Sequence, residues 1–427
     1  METQLQRIAK VAKTKPKEKF TSLIHLVNKE TLTACHSKMK GNKASGIDDM
    51  TKAAYEQNLE GNIEELLNKM RRQAYKPQPA RRVYIPKPGT DKQRPLGIPA
   101  YEDKLVQTVI AKILNAIYEQ DFVECSFGFR PKRSCHDALK LLDKIVNKSD
   151  INYVVDTDIK GFFDNVDHEW MMKFLEHRIA DKNLLRVLSR MLKAGIVCEG
   201  NKYATPLGTP QGGVISPILA NIYLHYVIDI WFDKIVRKRC LGSAFMVRYA
   251  DDIIFTFQYE EDAKQFYKEL IPRLSKFNLE LAKEKTKFIK LNKKNVADKE
   301  EDDKWGKSFD FLGFTHYVGK DSNGQKRVKR KTSKKSLKAS ILRCKEWMKA
   351  NRIIPVEHFM KIMQSKIRGH CNYYGVTDNR KSVGNFIDKC RSFILSGSIV
   401  GVRRKASTIV NSHCFLKHIH YREQERM

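Results

Sequence analysis

The spacing of hydrophobic and polar positions changes repeatedly along this chain of 427 residues. Residues 1–75 and 101–120 carry apolar side chains at helical spacing, interrupted at Gly41–Met50 by the turn-rich stretch "GNKASGIDDM". Between them, the prolines of "YKPQPARRVYIPKPGTDKQRPLGIP" forbid a helix, and short alternating runs flank a turn. The first part of the chain is therefore predicted to be helical, with a small β region at about 76–99.

The middle of the chain alternates between strand and helix patterns. "NYVVDTDI" (Asn152–Ile159) predicts a strand, and residues 168–197 and 218–236 predict helices. From Phe245 to Phe257 apolar side chains recur with a period of two around a tight turn. This stretch, which contains "VRYADDIIF", predicts a β-hairpin with Asp251 and Asp252 at its turn.

The last third of the chain changes character near Lys320, where we predict a domain boundary. Before it, residues 293–308 are charged and poorly patterned, which is typical of a surface loop, and "FDFLGFTHYV" predicts a strand. After it, Ser336 to about Ser396 carries three helical stretches. Tyr373 and Tyr374 near the end of the second stretch are candidates for core packing or for stacking on nucleic acid.

The charge balance adds a candidate partner. Lys and Arg together number 80 against 49 acidic residues, a net charge of +31, which indicates a polyanionic partner, with nucleic acid as the first candidate. No apolar run reaches the roughly 20 residues that span a bilayer, so we expect no membrane association. Nine scattered cysteines without a paired motif are typical of reduced thiols, and we predict a cytoplasmic protein.

Two acidic stretches are the main candidates for chemistry. In extended backbone Asp156 and Asp158 share one face, while the neighbours Asp251 and Asp252 point to opposite faces. If the two strands were adjacent, three or four carboxylates would gather and repel one another. Mg²⁺, which prefers carboxylate oxygens, would relieve this repulsion, and two such ions would serve phosphoryl transfer. Adjacent aspartates at a turn are also common turn formers, so "YADD" alone does not decide between the two readings.

The order of the motifs resembles that of a known family. "VVDTDIKGFFDNVDH", "GTPQGGVISPILANIYLH", "VRYADDIIF", "LELAKEKT" and "FLGF" follow one another as the sequence blocks of reverse transcriptases do. The residues within these blocks are similar to those of the bacterial, endonuclease-less proteins among the reverse transcriptase/maturases encoded by group II introns. Upstream, "GNKASGIDDM" resembles the N-terminal extension of that class, and "RRVYIPKPGTDKQRPLGIP" and "FGFRPKRSCHDAL" its finger blocks. The resemblance spans residues 40–318 and extends more weakly over 336–396.

The resemblance implies a fold and a division of the chain. The fold is a right-hand α+β polymerase, with fingers, a palm with an antiparallel sheet and helices, and a helical thumb. We expect an N-terminal extension and the start of the fingers over 1–75 and a reverse transcriptase domain over 76–318, with finger blocks at about 76–150 and the palm at about 151–318. A basic linker and maturase-like thumb would follow over 319–398, and a short basic tail with histidines over 399–427.

The resemblance also implies the catalytic residues. Asp158 and Asp251 are expected to bind two Mg²⁺ ions, for which Mn²⁺ could substitute, with Asp252 supporting the site and the backbone carbonyl of Ile159 touching one ion. Asp156, Asp164 and Asp167 stay as local alternatives to Asp158. The predicted nucleotide contacts are Lys87 and Arg94 on the triphosphate, Phe163 under the sugar where it disfavours ribonucleotides, Gln211 at the nucleotide, and Lys285 as proton donor to pyrophosphate.

Two further segments are candidates for binding. The run "KRVKRKTSKK" is predicted to contact nucleic-acid phosphates without reading sequence, although basic runs are often merely solvated. Its basic residues are Lys326, Arg327, Lys329, Arg330, Lys331, Lys334 and Lys335. At the C-terminus, His413, Cys414, His418 and His420 match no standard zinc spacing, so a basic RNA-contacting tail is favoured over a metal site.

We therefore predict an RNA-directed DNA polymerase that uses an RNA template, a DNA or RNA primer and dNTPs. It would also bind structured intron RNA as a maturase. Because no nuclease pattern follows the thumb, a domesticated enzyme, for example in phage defence, acting on a partner non-coding RNA stays open as an alternative. A second alternative, which would use the same basic surface, is an RNA-binding splicing cofactor without required polymerase activity. The oligomeric state is not predicted.

Overall fold

The computed structural model describes residues 2–86, 93–148, 150–209, 212–293 and 306–396. These residues form two compact units, which divide after Lys287. The change of pattern near Lys320 lies within the second unit. The division into fingers, palm and thumb stays a prediction, and most of the charged loop predicted at 293–308 lies outside the described residues.

Helices make up most of the first unit. Several begin at polar caps that satisfy free backbone N–H groups, as where the Ser134 hydroxyl accepts from Asp137 N and the Asp137 carboxylate accepts from Ser134 N. The helices are α1 (Glu2–Thr14), α2 (Lys29–Lys38), α3 (Lys52–Glu56), α4 (Leu59–Arg71), α5 (Tyr101–Tyr118), α6 (Cys135–Val146), α7 (His168–Glu176), α8 (Lys182–Leu192), α9 (Ser216–Leu224), α10 (Arg237–Arg239) and α11 (Glu260–Ser275).

Short helical turns complete this unit. Two are 3₁₀ turns, Ile24–Leu26 and Phe162–Asp164. Two π-helical turns, His225–Asp229 and Phe232–Val236, continue α9 toward α10. The apolar stretch predicted as a helix over 218–236 is therefore helical throughout, with a locally widened backbone.

The predicted β region after residue 76 forms a small sheet in the order β2-β1-β4-β5. Strands β1 (Ala80–Pro86) and β2 (Gln93–Ile98) pair antiparallel, β1 pairs parallel with β4 (Ile196–Cys198), and β4 pairs antiparallel with β5 (Asn201–Tyr203). The stretch Gly41–Met50 is anchored beside this sheet. The Asp48 carboxylate accepts from Tyr101 N at the start of α5 (3.2 Å), and Lys104 Nζ donates to Ala44 O (2.7 Å).

A second sheet carries the acidic strands. Strand β7 (Asp252–Phe257) lies between β6 (Ala244–Tyr249) and β3 (Tyr153–Asp158) and pairs antiparallel with both. Aromatic side chains cover one face of it, since Phe255 lies 4.4 Å from Phe266 of α11 and 5.0 Å from Phe232, between ring centroids. The period-two prediction for the hairpin is confirmed, and the buried core beneath it explains why alternate positions are apolar.

The second unit combines strands with three helices. Its strands are β8 (Lys287–Lys290), β9 (Ser308–Phe311), β10 (Phe314–Lys320) and β11 (Lys326–Thr332), and the last three form an antiparallel sheet in the order β11-β10-β9. Helices α12 (Lys334–Ala350), α13 (Val356–Tyr374) and α14 (Arg380–Ser396) confirm the three predicted helical stretches. Their core includes Cys344, Met348, Phe359, Met363 and Phe386.

Candidate active site

The hairpin turn holds one of the two adjacent aspartates. Tyr249 and Asp252 are register partners at the ends of β6 and β7, so only Ala250 and Asp251 form the loop. Ala250 has a positive φ of 57°, which closes this two-residue turn. Asp252 was predicted at the turn, but the structure places it as the first residue of β7.

The third carboxylate lies across the sheet. Asp158, the last residue of β3, is directly opposite Asp252, and residues directly opposite each other in an antiparallel pair project to the same face. Asp156 is opposite Ile254, two residues farther from the turn. Burial raises the pKa of Asp251, and the charge of Asp158 raises it further. The three carboxylates therefore meet at one end of the sheet.

The other acidic alternatives have different surroundings. Asp167 caps α7, since its carboxylate accepts from Trp170 N (2.8 Å) and from the Asn278 side-chain amide (2.5 Å). Asp164 is exposed on the 3₁₀ turn that follows β3. Geometry thus favours Asp158 as the member of this strand that faces the hairpin.

Lys285 reaches the same carboxylates. Its ammonium donates to Asp158 Oδ2 (2.5 Å), and this hydrogen bond raises the pKa of Lys285. The contact is possible because residues 280–282 run along the end of β3: Ala282 N donates to Asp158 O, and Lys160 N donates to Glu280 O, both at 2.8 Å. The carbonyl of Ile159, between these two bonds, is not used by either of them.

The donor chemistry of this cluster fits Mg²⁺. Three carboxylates supply hard oxygen ligands, and their mutual repulsion is relieved by a divalent cation. Within the described part of the chain, no group of three His, Cys, Asp or Glu side chains is arranged to hold a metal ion as it stands. Lys285 balances the charge of Asp158 here, so an ion bound at Asp158 would replace this exposed, flexible ammonium.

Phe163 follows the acidic strand closely. Gly161 adopts the left-handed conformation (φ 53°), which turns the chain from β3 into the 3₁₀ turn and which residues with a Cβ rarely adopt. The half-buried ring of Phe163 meets the Phe162 ring at 5.3 Å and the edge of Phe129 at 6.5 Å, between centroids. Its carbonyl accepts from Thr209 N (2.8 Å), so the "LGTPQGG" loop is attached to this turn.

A pocket of about 620 Å³ opens beside Phe163. The exposed rings of Tyr84 (51% exposed) and Tyr203 (50% exposed) line it, and Arg82 adds a positive charge. These three residues were not among the predicted contacts. The alternation in "RRVYIP" marks Arg82 and Tyr84 as one face of a strand, but their approach to Phe163 follows only from the sheet that joins β1 to β4 and β5.

The predicted triphosphate contacts are described in part. Arg94 is exposed on β2 opposite Ile85, and its charge lowers the pKa of Asp251, which places it within electrostatic range of the carboxylates. Lys87 and Gln211 lie outside the described residues.

The predicted basic linker is instead mostly β-strand. Residues 326–332 form β11, and Lys334 and Lys335 open α12. Arg330 is only 7% exposed, so its predicted role in phosphate contact is corrected. Arg327 donates to Asp378 Oδ1 (2.6 Å), and Lys329 lies 3.8 Å from the same oxygen. The better exposed cations of the run are Lys331, Lys334 and Lys335, together with half-buried Lys326.

Other predicted features differ in outcome. Tyr373 and Tyr374 are half-buried and pack on Phe314, and the Tyr373 hydroxyl donates to Leu312 O (3.0 Å), which favours the core reading. The predicted tail with its histidines lies outside the described residues. Throughout the described ranges, no helix combines the length and apolarity needed to cross a membrane, and all eight cysteines there are free thiols.

The chain is similar to reverse transcriptases and to an intron-encoded protein. A family model described as "Reverse transcriptase (RNA-dependent DNA polymerase)" matches residues 85–316. The chain is 28% identical to "Group II intron-encoded protein LtrA" of Lactococcus lactis subsp. cremoris, over 90% of this chain and 75% of that protein. It is 35% identical to "Protein YkfC" of Escherichia coli K12, over 56% of this chain and 64% of that protein.

Among solved structures, the chain is similar to a telomerase from Candida albicans in complex with a fragment of telomeric RNA. The TM-score is 0.46 and the sequence identity 12%, over 83% of this chain and 68% of that one.

Proposed function

We infer that this chain, which belongs to the reverse transcriptase family, is an RNA-directed DNA polymerase. The family model covers more than half of its length, so the predicted reverse transcriptase family, the fold of mixed helices and sheets and the enzyme class are confirmed. The observation that carries the assignment of the site is the register pair Asp158 and Asp252 beside the Asp251 turn.

We propose that Asp158 and Asp251 bind two Mg²⁺ ions, with Asp252 and the carbonyl of Ile159 completing the site. When bound, such a pair of ions stabilises charge on the attacking and leaving oxygens of phosphoryl transfer. The remaining catalytic contribution of the chain is to align the primer 3′-hydroxyl and the dNTP α-phosphate and to keep water from competing.

Lys285 has two roles in this proposal. Without nucleotide it neutralises Asp158, as the 2.5 Å contact indicates. With nucleotide bound, its ammonium turns to the triphosphate and donates a proton to the leaving pyrophosphate oxygen. The raised pKa of Lys285 is caused by Asp158 and so belongs to the state without nucleotide. An ordinary lysine is already protonated at neutral pH, so the group carries the proton that the leaving oxygen needs.

Phe163 and the cations of the small sheet select and hold the nucleotide. The half-buried ring of Phe163 supports the sugar and leaves no room for a 2′-hydroxyl. Arg94 grips the triphosphate with its planar fork, with Lys87 as a second charge and Gln211 facing the nucleotide. The neighbouring pocket lined by Tyr84 and Tyr203 offers aromatic surface on which template bases can stack.

The biological substrate is proposed to be intron RNA. The similarity to a group II intron-encoded protein covers 90% of the chain and favours an intron-related role over the domesticated alternative. The excess of basic residues supports binding to a structured RNA, which would also provide the template. The cytoplasmic location stays a prediction.

Primer extension on an RNA template with Mg²⁺ tests the site. Asp158→Asn and Asp251→Asn should each lower the rate by on the order of 10³-fold, because electrostatic stabilisation dominates phosphoryl transfer. Both variants should bind RNA as tightly as the wild type. The control is Asp321→Asn, since Asp321 is a turn-forming aspartate that accepts from Asn323 N and Gln325 N (both 2.9 Å), and it should extend normally. Extension at the wild-type rate by either active-site variant would refute the assignment.

A further inference from the structure

An arginine is buried directly beside the catalytic turn. Arg248, on β6 two residues before the turn, is 0% exposed. Its guanidinium donates to both carboxylate oxygens of Asp229, from Nε at 2.7 Å and from Nη2 at 2.6 Å. Asp229 is also 0% exposed and lies on the π-helical turn His225–Asp229 that continues α9. The hairpin is thereby joined to the helix behind it by a bidentate ion pair.

The remaining nitrogen of this guanidinium reaches the turn itself. Nη1 of Arg248 donates to the backbone carbonyl of Ala250 (3.1 Å) and to Asn221 Oδ1 (3.0 Å). Asn221, which is buried on α9, donates through Nδ2 to Gly128 O (2.7 Å). Arg248 therefore ties the residue before Asp251 to the helix, and Asn221 extends this connection to the "FGFRP" loop.

Gly128 also packs closely against the turn. A Cβ on Gly128 would lie 2.3 Å from Ala250 N, so the loop backbone rests against the turn backbone. The preceding loop residues pair with β6, since Phe127 N donates to Arg248 O and Arg248 N donates to Cys125 O, both at 2.9 Å. A hydrogen bond from Arg248 thus holds the Ala250 carbonyl, and the loop backbone packs against the Ala250 nitrogen.

We propose that Arg248, together with Asn221 and Asp229, is a positioning device for Asp251. A catalytic group has to be held within about 0.5 Å of its productive place, and a two-residue turn with one strained φ does not ensure this by itself. A buried ion pair is a poor source of net stability, because desolvation offsets its attraction. The hydrogen bonds of Arg248 with Asp229 and Asn221 instead fix the direction of the Ala250 carbonyl. The proposal rests on the proposed function of Asp251.

The chain contains a matched pair elsewhere in the same unit. Arg178 is 3% exposed, with its Nε 3.1 Å from Asp121 Oδ2, and it donates to the carbonyls of Ala12 (3.1 Å) and Lys15 (3.2 Å). These contacts attach the end of α1 and the residue that follows it, and involve no residue of the hairpin. A purely structural role for Arg248 would make the two pairs equivalent in their effect on catalysis.

The experiment compares apolar replacement of both pairs. The variants are Arg248→Met/Asp229→Leu, the milder Asn221→Ala, and the control Arg178→Met/Asp121→Leu. For each variant we would measure kcat, dNTP KM, the Mg²⁺ concentration at half-maximal rate, thermal unfolding and RNA–primer affinity. Replacing a buried pair by apolar side chains of similar volume often preserves folding.

We expect kcat to fall 10- to 100-fold in Arg248→Met/Asp229→Leu and about tenfold in Asn221→Ala, the range typical of residues that orient metal ligands. The half-maximal Mg²⁺ concentration should rise, while dNTP KM and RNA–primer affinity stay within twofold. The control pair should keep the kcat of the wild type, whatever its change in melting temperature.

Two outcomes would overturn the proposal. One is a folded Arg248→Met/Asp229→Leu enzyme with wild-type kcat and Mg²⁺ dependence; the other is an equal loss of kcat in the control pair. If the double variant does not fold, Asn221→Ala decides, and wild-type kinetics there refute the proposal. Asp251→Asn is assayed in parallel. Activity in that variant refutes the assigned site, whereas its inactivity beside wild-type kcat and Mg²⁺ dependence in Asn221→Ala refutes the positioning role alone.

Discussion

Two antiparallel hairpins, one in each unit, differ in how their turns are held. The turn between β6 and β7 has two residues, and side chains and backbone from other elements fix it. The turn between β10 and β11 spans residues 321–325, and the carboxylate of its own Asp321 closes it. Four of these five residues are exposed.

The difference indicates what each hairpin has to provide. In the proposed function, the first places carboxylates beside Asp158, where an error in position is costly because phosphoryl transfer depends on distance. The second presents positive charge, for which density matters more than position. Both hairpins bury an arginine: Arg248 faces the carboxylate of Asp229, whereas Arg330 is the register partner of the uncharged, buried His316.

The largest of the following effects is expected at Phe163, beside the carboxylates of the first hairpin. Phe163→Ala should lower the preference for dNTPs over rNTPs by on the order of 10²-fold, because the ring that we propose excludes the 2′-hydroxyl is lost. Single-nucleotide incorporation at several salt concentrations measures this, and the effect should not depend on salt. Phe162→Leu, a change of the buried neighbour, is the control and should keep the preference. Unchanged discrimination in Phe163→Ala would show that position at this site does not set sugar choice.

The next effect concerns the interior of the second hairpin. Burial lowers the pKa of His316 to about 3, and the charge of Arg330 contributes. Below pH 6.5 His316 binds a proton in the unfolded chain but not in the folded chain. The free energy of unfolding therefore falls as the pH drops from about 6.5 toward 3. At pH 5 the loss is about 2 kcal/mol relative to pH 7.

His316→Leu should remove this loss. Equilibration in urea at pH 7 and pH 5, followed by pulse-labelling hydrogen exchange of peptides from 308–332, measures it. His358→Leu, an exposed histidine of α13, is the matched control. Burial also lowers the pKa of His370 to about 4, so some acid sensitivity of the second unit remains. An identical pH dependence in the wild type and His316→Leu would contradict the prediction.

The smallest effect is expected at the exposed lysines of β11 and of the start of α12, which directly follows the second hairpin. Replacing Lys331, Lys334 and Lys335 together by Gln should weaken RNA–primer binding by about tenfold at low salt. It should also reduce the slope of log affinity against log salt by about 2, since each phosphate contact contributes roughly 0.7–0.9. Fluorescence anisotropy at salt concentrations from about 50 to about 200 mM measures the RNA–primer affinity and its salt slope.

The control for these lysines is Arg327→Gln. Arg327 is already paired with Asp378, so its removal should change the salt slope much less than the triple substitution does. Equal slopes for wild type and the triple variant would mean that these lysines do not contact phosphate. The second hairpin would then not serve to present positive charge to nucleic acid.

Local patterns were sufficient for much of the fold. The alternation from Phe245 to Phe257 predicted the hairpin, and apolar spacing after Ser336 predicted three helices. These predictions succeed because strand and helix periods are local properties that burial of one face imposes. The basic run at 326–335 was misread for the same reason: its charges masked the alternation of Val328, Arg330 and Thr332, which are buried on one face of β11.

The sequence by itself determined the order of the motifs and, through it, the family. The resemblance to that family singled out Asp158 and Asp251, whereas strand geometry alone left Asp156 as an alternative. Only the tertiary structure decided that Asp158 lies opposite Asp252, that Lys285 reaches Asp158, and that Arg330 is buried. Each of these depends on strand register or on contacts between residues far apart in the chain. The contact of Arg248 with Asp229 is of the same kind, since the energy of a buried charge pair arises only when folding removes both groups from water.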